Sequence, residues 1–327
     1  MDNDRRPLCL PAREVTARDI AVKRRLQADF ALLVCAIIWG GSFIVVKDAL
    51  ADATVFMFMT LRFGLATLFL AAFSLSALRR RTPGMLRAGI LLGALMFAGY
   101  ALETAGLQFT SASKAAFITG SSVVWVPLLS ATFGRVRMNA WICAGALAAF
   151  AGLYFVAVPA EGLGGLNRGD VLIAFCAIAF ALHIIAAGTW ARRHSVAALN
   201  TVQSAMTTVL SGSVLAAPAA LHREAPRIIM NAGLAWALFY AAVLSTALAF
   251  ALQFWAQRYT TASHTAIVFS LEPVFAAILG WMVAGEHLTG REFFGAGLIF
   301  VGILLAELKG ATHEAVEFAT LGESPKE

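Results

Sequence analysis

Long apolar stretches alternate with short polar segments along almost the whole chain. Each stretch has about 20 residues, the length that a helix needs to cross a hydrocarbon core of roughly 30 Å. The pattern therefore predicts ten membrane-spanning helices, near residues 30–47, 55–77, 87–107, 112–133, 138–158, 170–188, 199–219, 231–254, 263–284 and 290–308. The Ser/Thr-rich junction at 108–113 is so short that the third and fourth stretches could form one helix, which makes nine spans the alternative.

Composition agrees with this pattern. Of the 327 residues, 60% are hydrophobic and only 13% are charged, and the mean hydropathy is +0.77. A soluble protein of this size would have to expose its apolar surplus to water. Since a lipid-embedded chain must satisfy its own backbone hydrogen bonds, we expect an all-α polytopic membrane protein. The four cysteines lack the spacing of metal ligands, so we predict no metal site and no cofactor.

The second half of the chain resembles the first. The segment ALETAGLQFTSASKAAF from Ala101 lies over ALQFWAQRYTTASHTAI from Ala251, and DFALLVCAI from Asp29 lies over DVLIAFCAI from Asp170. We therefore predict two repeats, residues 30–158 and 170–308, joined by an outer loop at 159–169. Because five spans are an odd number, the second repeat is inverted in the membrane. Inverted repeats place a substrate site near the midplane, at their interface.

The polar ends of the chain indicate its orientation. Residues 1–29 are basic and lack the apolar core of a signal peptide, and residues 309–327 have the composition of a disordered tail. Loop lysines and arginines concentrate on one side, which predicts that both termini are cytoplasmic in the cell inner membrane. This topology and its lipid contacts explain the net charge of +6. No nucleic-acid partner is needed.

Few strongly polar side chains fall in the middle of a predicted helix. Glu272 lies near mid-membrane and precedes Pro273, which opens the helix ladder and predicts a hinge. Arg62 is also deep, and Glu103 is a candidate partner for it. Either the two form a packing ion pair or Arg62 contacts substrate. Gln253 occupies the repeat position of Glu103. The two side chains are candidates for paired gates, while the pattern favours ordinary interhelical hydrogen bonding over that interpretation.

The other candidates for a substrate cavity follow from position. Trp39, Ser42 and Phe43 share one side of the first helix beside a Gly-Gly pair. His183 stands at the repeat position of Ser42, and as a lone histidine it could equally be a satisfied interior group. The predicted cavity lining is Trp39, Ser42, Phe43, Arg62, Ser122, Phe180, His183 and Glu272.

Several strings in this chain resemble the EamA-type permeases of the drug/metabolite transporter superfamily. They are WGGSFIVVK in the first helix, LRF in the second, SLEPVFAAILGWMVAGEHLT in the ninth and GAGLIFVGILL in the tenth. The resemblance covers about residues 28–308. It implies a ten-helix inverted-repeat fold and, usually, export of amino acids or related metabolites, and it adds weight to Trp39, Phe43, Lys47, Arg62, Glu272, Pro273 and Glu286. The first repeat departs from the pattern, because Ser122 and Val123 replace Glu272 and Pro273.

These observations predict a secondary transporter, an exporter of small metabolites such as amino acids, that works by alternating access around a mid-membrane cavity. Coupled protons are a predicted partner, with Glu272 as their carrier. Import of a small metabolite on the same fold is the serious alternative, and an intramembrane enzyme is a remote one. No GxxxxGKS or GxxxxGKT string occurs, so nothing indicates ATP-driven transport by this chain. The sequence leaves the oligomeric state open.

Overall fold

The computed structural model describes residues 12–80, 82–110, 112–133, 140–158, 162, 165–217, 225–284 and 289–306. These ranges form a bundle of helices. In chain order the helices are α1 (Ala12–Asp52), α2 (Val55–Arg79), α3 (Met85–Leu107), α4 (Ala112–Gly120), α5 (Ser122–Thr132), α6 (Ala140–Ala157), α7 (Arg168–Trp190), α8 (Val196–Leu215), α9 (Ala232–Phe239), a π-helical segment (Tyr240–Leu248), α10 (Ala249–Ala256), α11 (Ala262–Phe269), α12 (Glu272–Ala284) and α13 (Gly290–Leu305).

Eight helical segments of the described ranges are long and apolar enough to cross a membrane. The protein is therefore an integral membrane protein, as composition predicts. Helices α8 and α13 lie where the seventh and tenth spans are predicted, but they fall outside this set. Helix α13 has only 16 residues, and α8 carries buried polar side chains such as Asn200 and Gln203. The count of ten spans stays a prediction.

The ends of the predicted domains differ in detail from the helices. Helix α1 extends back to Ala12, so residues 12–29 of the predicted N-terminal tail are helical and continue into the first span. At the predicted connecting loop, α7 begins at Arg168 with a capping box formed by Asn167 and Asp170. The predicted tail at 309–327 and the family-typical Glu286 lie outside the described residues.

Two predicted spans are interrupted at equivalent places in the repeats. Helix α4 gives way to α5 at Ser121, and α11 gives way to α12 at Ser270 and Leu271. Ser122 and Glu272 are thus the first residues after each break. Pro273 lies in the first turn of α12, where a helix tolerates proline because that N–H has no helical acceptor. The first repeat is broken without a proline at the equivalent position.

Glycines bring α6 and α13 into close contact across the repeats. A Cβ atom built on Gly302 would lie 2.6 Å from the carbonyl oxygen of Gly145, and one on Gly295 would lie 2.7 Å from that of Gly152. The repeat-matched glycines thus allow the close helix approach that their spacing predicts. In the same way, Gly93 lets α3 pack on α8, with its Cβ position 2.7 Å from the carbonyl oxygen of Gln203.

The apolar core shows which helix ends lie together. At one end of the bundle, Ala49 and Ala53 of α1 share a cluster with Leu107, Ala115 and Ile173. At the other end, the early part of α1 shares a cluster with the end of α10 and the start of α11. The starts of α4 and α7 therefore lie opposite the start of α11, on either side of the bundle's middle.

A central cavity between the two halves

A cavity lies in the middle of the bundle, between the broken helices. Its lining is Trp39, Ser42, Phe43, Tyr100, Glu103, Thr119, Gly120, Ser122, Phe180, His183, Ile184, Phe250, Gln253, Phe269 and Glu272. Apart from Gly120, these residues fall into pairs at equivalent positions of the two sequence repeats, such as Trp39 with Phe180 and Ser122 with Glu272. The two repeats therefore contribute equivalent positions to the cavity wall, but most of these positions carry different side chains in the two repeats.

Most of the predicted site residues meet at this cavity. Those in its wall are Trp39, Ser42, Phe43, Ser122, Phe180, His183 and Glu272, together with the predicted gates Glu103 and Gln253. Pro273, the residue that follows Glu272 in the chain, is buried. The structure thus brings these side chains together, while their roles in transport stay predictions. Lys47 is exposed near the C-terminal end of α1, as expected of a lysine near the membrane surface.

Arg62 is the predicted residue that stands apart from this lining. Its side chain is only 2% exposed. Its Nε donates to Thr246 Oγ1 and its Nη2 to Ser245 Oγ, both at 3.0 Å, and its guanidinium carbon lies 4.4 Å from the centre of the Tyr100 ring. Within the described part of the chain no ion pair joins it to Glu103. Arg62 is held by neutral acceptors and a ring face, and it ties α2 to the π-helical segment.

The π-helical segment is a feature that sequence reasoning missed. Trp39 Nε1 donates to the carbonyl oxygen of Ser245 at 2.8 Å, and Tyr240 donates to that of Ile38 at 2.6 Å. Within the segment, Thr246 donates to the carbonyl oxygen of Ala241, five residues back. The wider turn therefore offers both side-chain and main-chain acceptors to α1 and α2. Such turns often occur at functional sites.

Sequence reasoning also missed six further lining residues. They are Tyr100, Thr119, Gly120, Ile184, Phe250 and Phe269. A usable signal existed for Ile184, because it occupies the repeat position of Phe43. The aromatic residues carry no such signal, since an aromatic side chain packs equally well against lipid and against a cavity.

Two polar pairs join the repeats at opposite ends of the bundle. At one end Lys114 Nζ lies 2.7 Å from Asp170 Oδ2, and Thr110 donates to Asp170 Oδ1 at 2.8 Å. At the other end His264 Nε2 lies 2.8 Å from Asp29 Oδ1. The repeat alignment places Lys114 on His264 and Asp170 on Asp29. The two pairs are thus equivalent contacts, and each joins a helix of one repeat to a helix of the other.

The apolar bundle and its symmetric cavity define an integral membrane transporter, and comparison with known proteins agrees. A sequence model of the EamA-like transporter family matches the chain twice, over residues 26–158 and 167–308. The chain belongs to this family, as its motifs indicate.

Relatives in other organisms have the same extent. An uncharacterized transporter of Archaeoglobus fulgidus is 34% identical over 287 residues, which are 88% of this chain and 87% of that protein. The uncharacterized transporter YoaV of Bacillus subtilis is 23% identical over 86% of this chain and 96% of its own length. A crystal structure with 17% sequence identity has the same fold, with a TM-score of 0.71 over 86% of this chain and 96% of the other.

Proposed function

We propose that this protein is a secondary transporter that exports small metabolites, with amino acids as the first candidates, by alternating access. In this proposal ten spans form two inverted repeats in the cell inner membrane, with both termini in the cytoplasm. The observation that carries it is the cavity lined by repeat-related side chains, set between two repeat-related polar pairs. A solute site at the interface of inverted repeats is the arrangement from which a rocking motion exposes each side in turn.

The two polar pairs are the proposed closures. We name Lys114 and Asp170 the outer latch, and Asp29 and His264 the inner latch. Each latch spans the two repeats, so it must break for the cavity to open at that end. Both latches are formed in this structure. In the transport cycle one opens while the other holds, and the inverted repeats exchange these two arrangements.

The helix breaks supply the proposed moving parts. The breaks before Ser122 and Glu272 leave each broken span as two short helices that can tilt separately at the depth of the cavity. Pro273 serves as a hinge because it removes a main-chain donor at the second break. Gly40 packs against this hinge, with its Cβ position 2.6 Å from the carbonyl oxygen of Glu272. Because of this close contact, α1 moves when α12 tilts.

Glu272 is the proposed proton carrier. It lies at the cavity with Glu103, His183 and Tyr100 nearby and with Arg62 engaged elsewhere, and no ion pair to Glu272 occurs among the described residues. An ionised carboxylate is costly in such a place, so a proton is its natural partner in part of the cycle.

Replacing this carboxyl group tests that role. We expect Glu272→Gln to abolish transport driven by a pH gradient in proteoliposomes while exchange of labelled for unlabelled solute continues. Gln keeps the size and hydrogen bonding of the side chain but cannot lose a proton. Ser74→Ala is the matched control, because it removes a buried polar group that bonds Thr201 between α2 and α8. A Glu272→Gln protein that still responds to the gradient would eliminate the role.

The transport function itself is tested by a panel of labelled amino acids and organic amines, with the gradient imposed in each direction. If the gradients drive the solute in the direction of uptake into the cell, the result favours import, the competing hypothesis. If no solute moves with any imposed gradient, while the protein stays folded in the same vesicles, the proposed function fails.

A further inference from the structure

The orientation of Gln253 at the cavity is fixed by a short chain of amides. Gln257 Nε2 donates to the carbonyl oxygen of Ile184 at 3.0 Å, and since a carbonyl can only accept, the amide oxygen of Gln257 faces Gln253. Gln253 Nε2 donates to it at 3.3 Å. The remaining atom, Gln253 Oε1, is buried and has no hydrogen-bond partner among the described residues. Gln253, which carries this orphaned acceptor, is one of the residues that line the cavity.

A second chain of amides fixes His183. Asn200 Nδ2 donates to the carbonyl oxygen of Ala247 at 2.8 Å, and Gln203 Nε2 donates to Asn200 Oδ1 at 3.0 Å. Gln203 therefore turns its oxygen to His183 Nε2, 2.9 Å away, and that nitrogen must carry the hydrogen. In the neutral ring the other nitrogen, Nδ1, is then an acceptor. Two separate chains, each anchored on a main-chain carbonyl, thus end in acceptors at the cavity.

The strongest donors of the cavity wall are already taken. Trp39 Nε1 donates to the carbonyl oxygen of Ser245, and Ser42 donates to that of Trp39 at 2.8 Å. The guanidinium of Arg62 is held behind Tyr100 by Ser245 and Thr246. The hydroxyl groups of Thr119, Ser122 and Tyr100 can either donate or accept. With these donors engaged, the lining side chains whose remaining polarity is fixed, Gln253 and His183, offer acceptors, and the lining carboxyl groups are those of Glu103 and Glu272.

We propose that the cavity selects organic amines, in which a cationic N–H donor is joined to an apolar body, over solutes that carry a carboxylate. The ammonium group satisfies Gln253 Oε1 and is attracted by the two carboxyl groups. The body packs among Trp39, Phe250 and Phe269. The ring centroid of Trp39 lies 5.2 Å from that of Phe250 and 4.9 Å from that of Phe269, and such rings also favour a nearby cation. This inference rests on the proposed function and, among small metabolites, places organic amines ahead of amino acids.

Three probes with one apolar body separate the possibilities. They are phenethylamine, phenylalanine and 3-phenylpropionate, which present a cation, a zwitterion and an anion. Binding is measured by calorimetry on the full chain in lipid nanodiscs, with empty nanodiscs as the blank. We expect phenethylamine to bind at least about tenfold more tightly than phenylalanine, and 3-phenylpropionate not to bind. The reason is that the carboxylate of the last two probes would be buried in the cavity without a charge-assisted hydrogen bond.

The residues that carry the inference are tested in the same assay. Gln253→Leu and Glu103→Gln should each weaken phenethylamine binding about tenfold or more. Glu103→Gln should leave the affinity for the neutral analogue 2-phenylethanol unchanged. A general loss of packing would weaken the binding of 2-phenylethanol as well. Ser74→Ala is the control, because it deletes a buried hydrogen bond away from the cavity.

Each outcome decides the matter. Tighter binding of phenylalanine or 3-phenylpropionate overturns the inference, while transport itself can still hold. Binding of none of the three probes to the folded protein also overturns it. If phenethylamine binds as expected but is not moved across proteoliposomes, the amine site stands and the proposed transport function fails.

Discussion

Asp170→Asn is expected to lower the free energy of unfolding by about 3 kcal/mol, because removing one partner of a buried ion pair leaves the other charge uncompensated. The side chains of Lys114 and Asp170 are only 9% and 2% exposed. Asn keeps an oxygen that can accept from Thr110, but its amide nitrogen cannot accept from Lys114 or from the main-chain nitrogen of Asn167, so the charge and half of the capping box are lost together. The loss of stability is measured by denaturant unfolding of the purified protein in detergent.

The same substitution is expected to open the outer end of the cavity. The reporter is Ser122→Cys, which places a thiol in the cavity wall. In the protein that carries both Ser122→Cys and Asp170→Asn, this thiol should react faster with a membrane-impermeant maleimide added outside than it does in the protein that carries Ser122→Cys alone. The equivalent change at the inner latch, Asp29→Asn, is the matched control. It should favour labelling from the inside and should destabilise by less than about 1 kcal/mol, because Asp29 is 29% exposed.

Opposite shifts from equivalent substitutions are what inverted repeats require. If Asp170→Asn and Asp29→Asn changed labelling in the same direction, the polar pairs would be packing contacts and not latches. Equal losses of stability would show in addition that the difference in burial between the pairs does not matter.

Gly302→Ala is expected to destabilise the protein by about 2–3 kcal/mol, because the new methyl group has no room. Its Cβ would lie 2.6 Å from the carbonyl oxygen of Gly145 and 3.0 Å from the main-chain nitrogen of Ala149. Both are backbone atoms, so neither can move aside as a flexible side chain would. Helices α6 and α13 must separate instead, which weakens the contact between the two repeats.

Gly297→Ala on the same helix is the control for this prediction. Among the described residues, no atom outside its chain neighbours and the nearby backbone of its own helix lies within 4 Å of its Cβ position. The expected effect is therefore the better helix propensity of alanine, which stabilises by up to about 1 kcal/mol. The difference between the two variants is measured from the midpoints of their unfolding curves. Similar midpoints for both would mean that the glycine contact is loose and does not hold the repeats together.

Much of the cavity was predictable because a polar group in a lipid-embedded helix has few places to go. Glu272 is recognised by its depth, Glu103 as a candidate partner of the deep Arg62, and Gln253 and His183 by their repeat positions, and all four meet at the cavity. Arg62 satisfies the same criterion, yet it is engaged by Ser245 and Thr246 of the π-helical segment. Depth shows that a charge needs partners but does not name them.

The two latches show the same limit. Their four residues could be aligned as repeat equivalents from the sequence, but the pairing of Lys114 with Asp170 depends on which faces of α4 and α7 meet. The orientation of Gln253 is less accessible still, because it follows from Gln257 and a carbonyl group on another helix. Such networks depend on contacts between residues that are far apart in the chain.

The amino-acid pattern is enough to identify a helical membrane protein with two related halves and polar side chains at mid-depth. It is enough because burial in lipid imposes helix length and apolarity on each segment separately, and because a duplication is visible as repeated letters. The pairing of the polar groups, the place of the π-helical turn and the atoms that remain as acceptors on the cavity wall follow from the folded arrangement. Those features depend on how helices rotate and pack against one another, and that is a property of the whole assembly of helices.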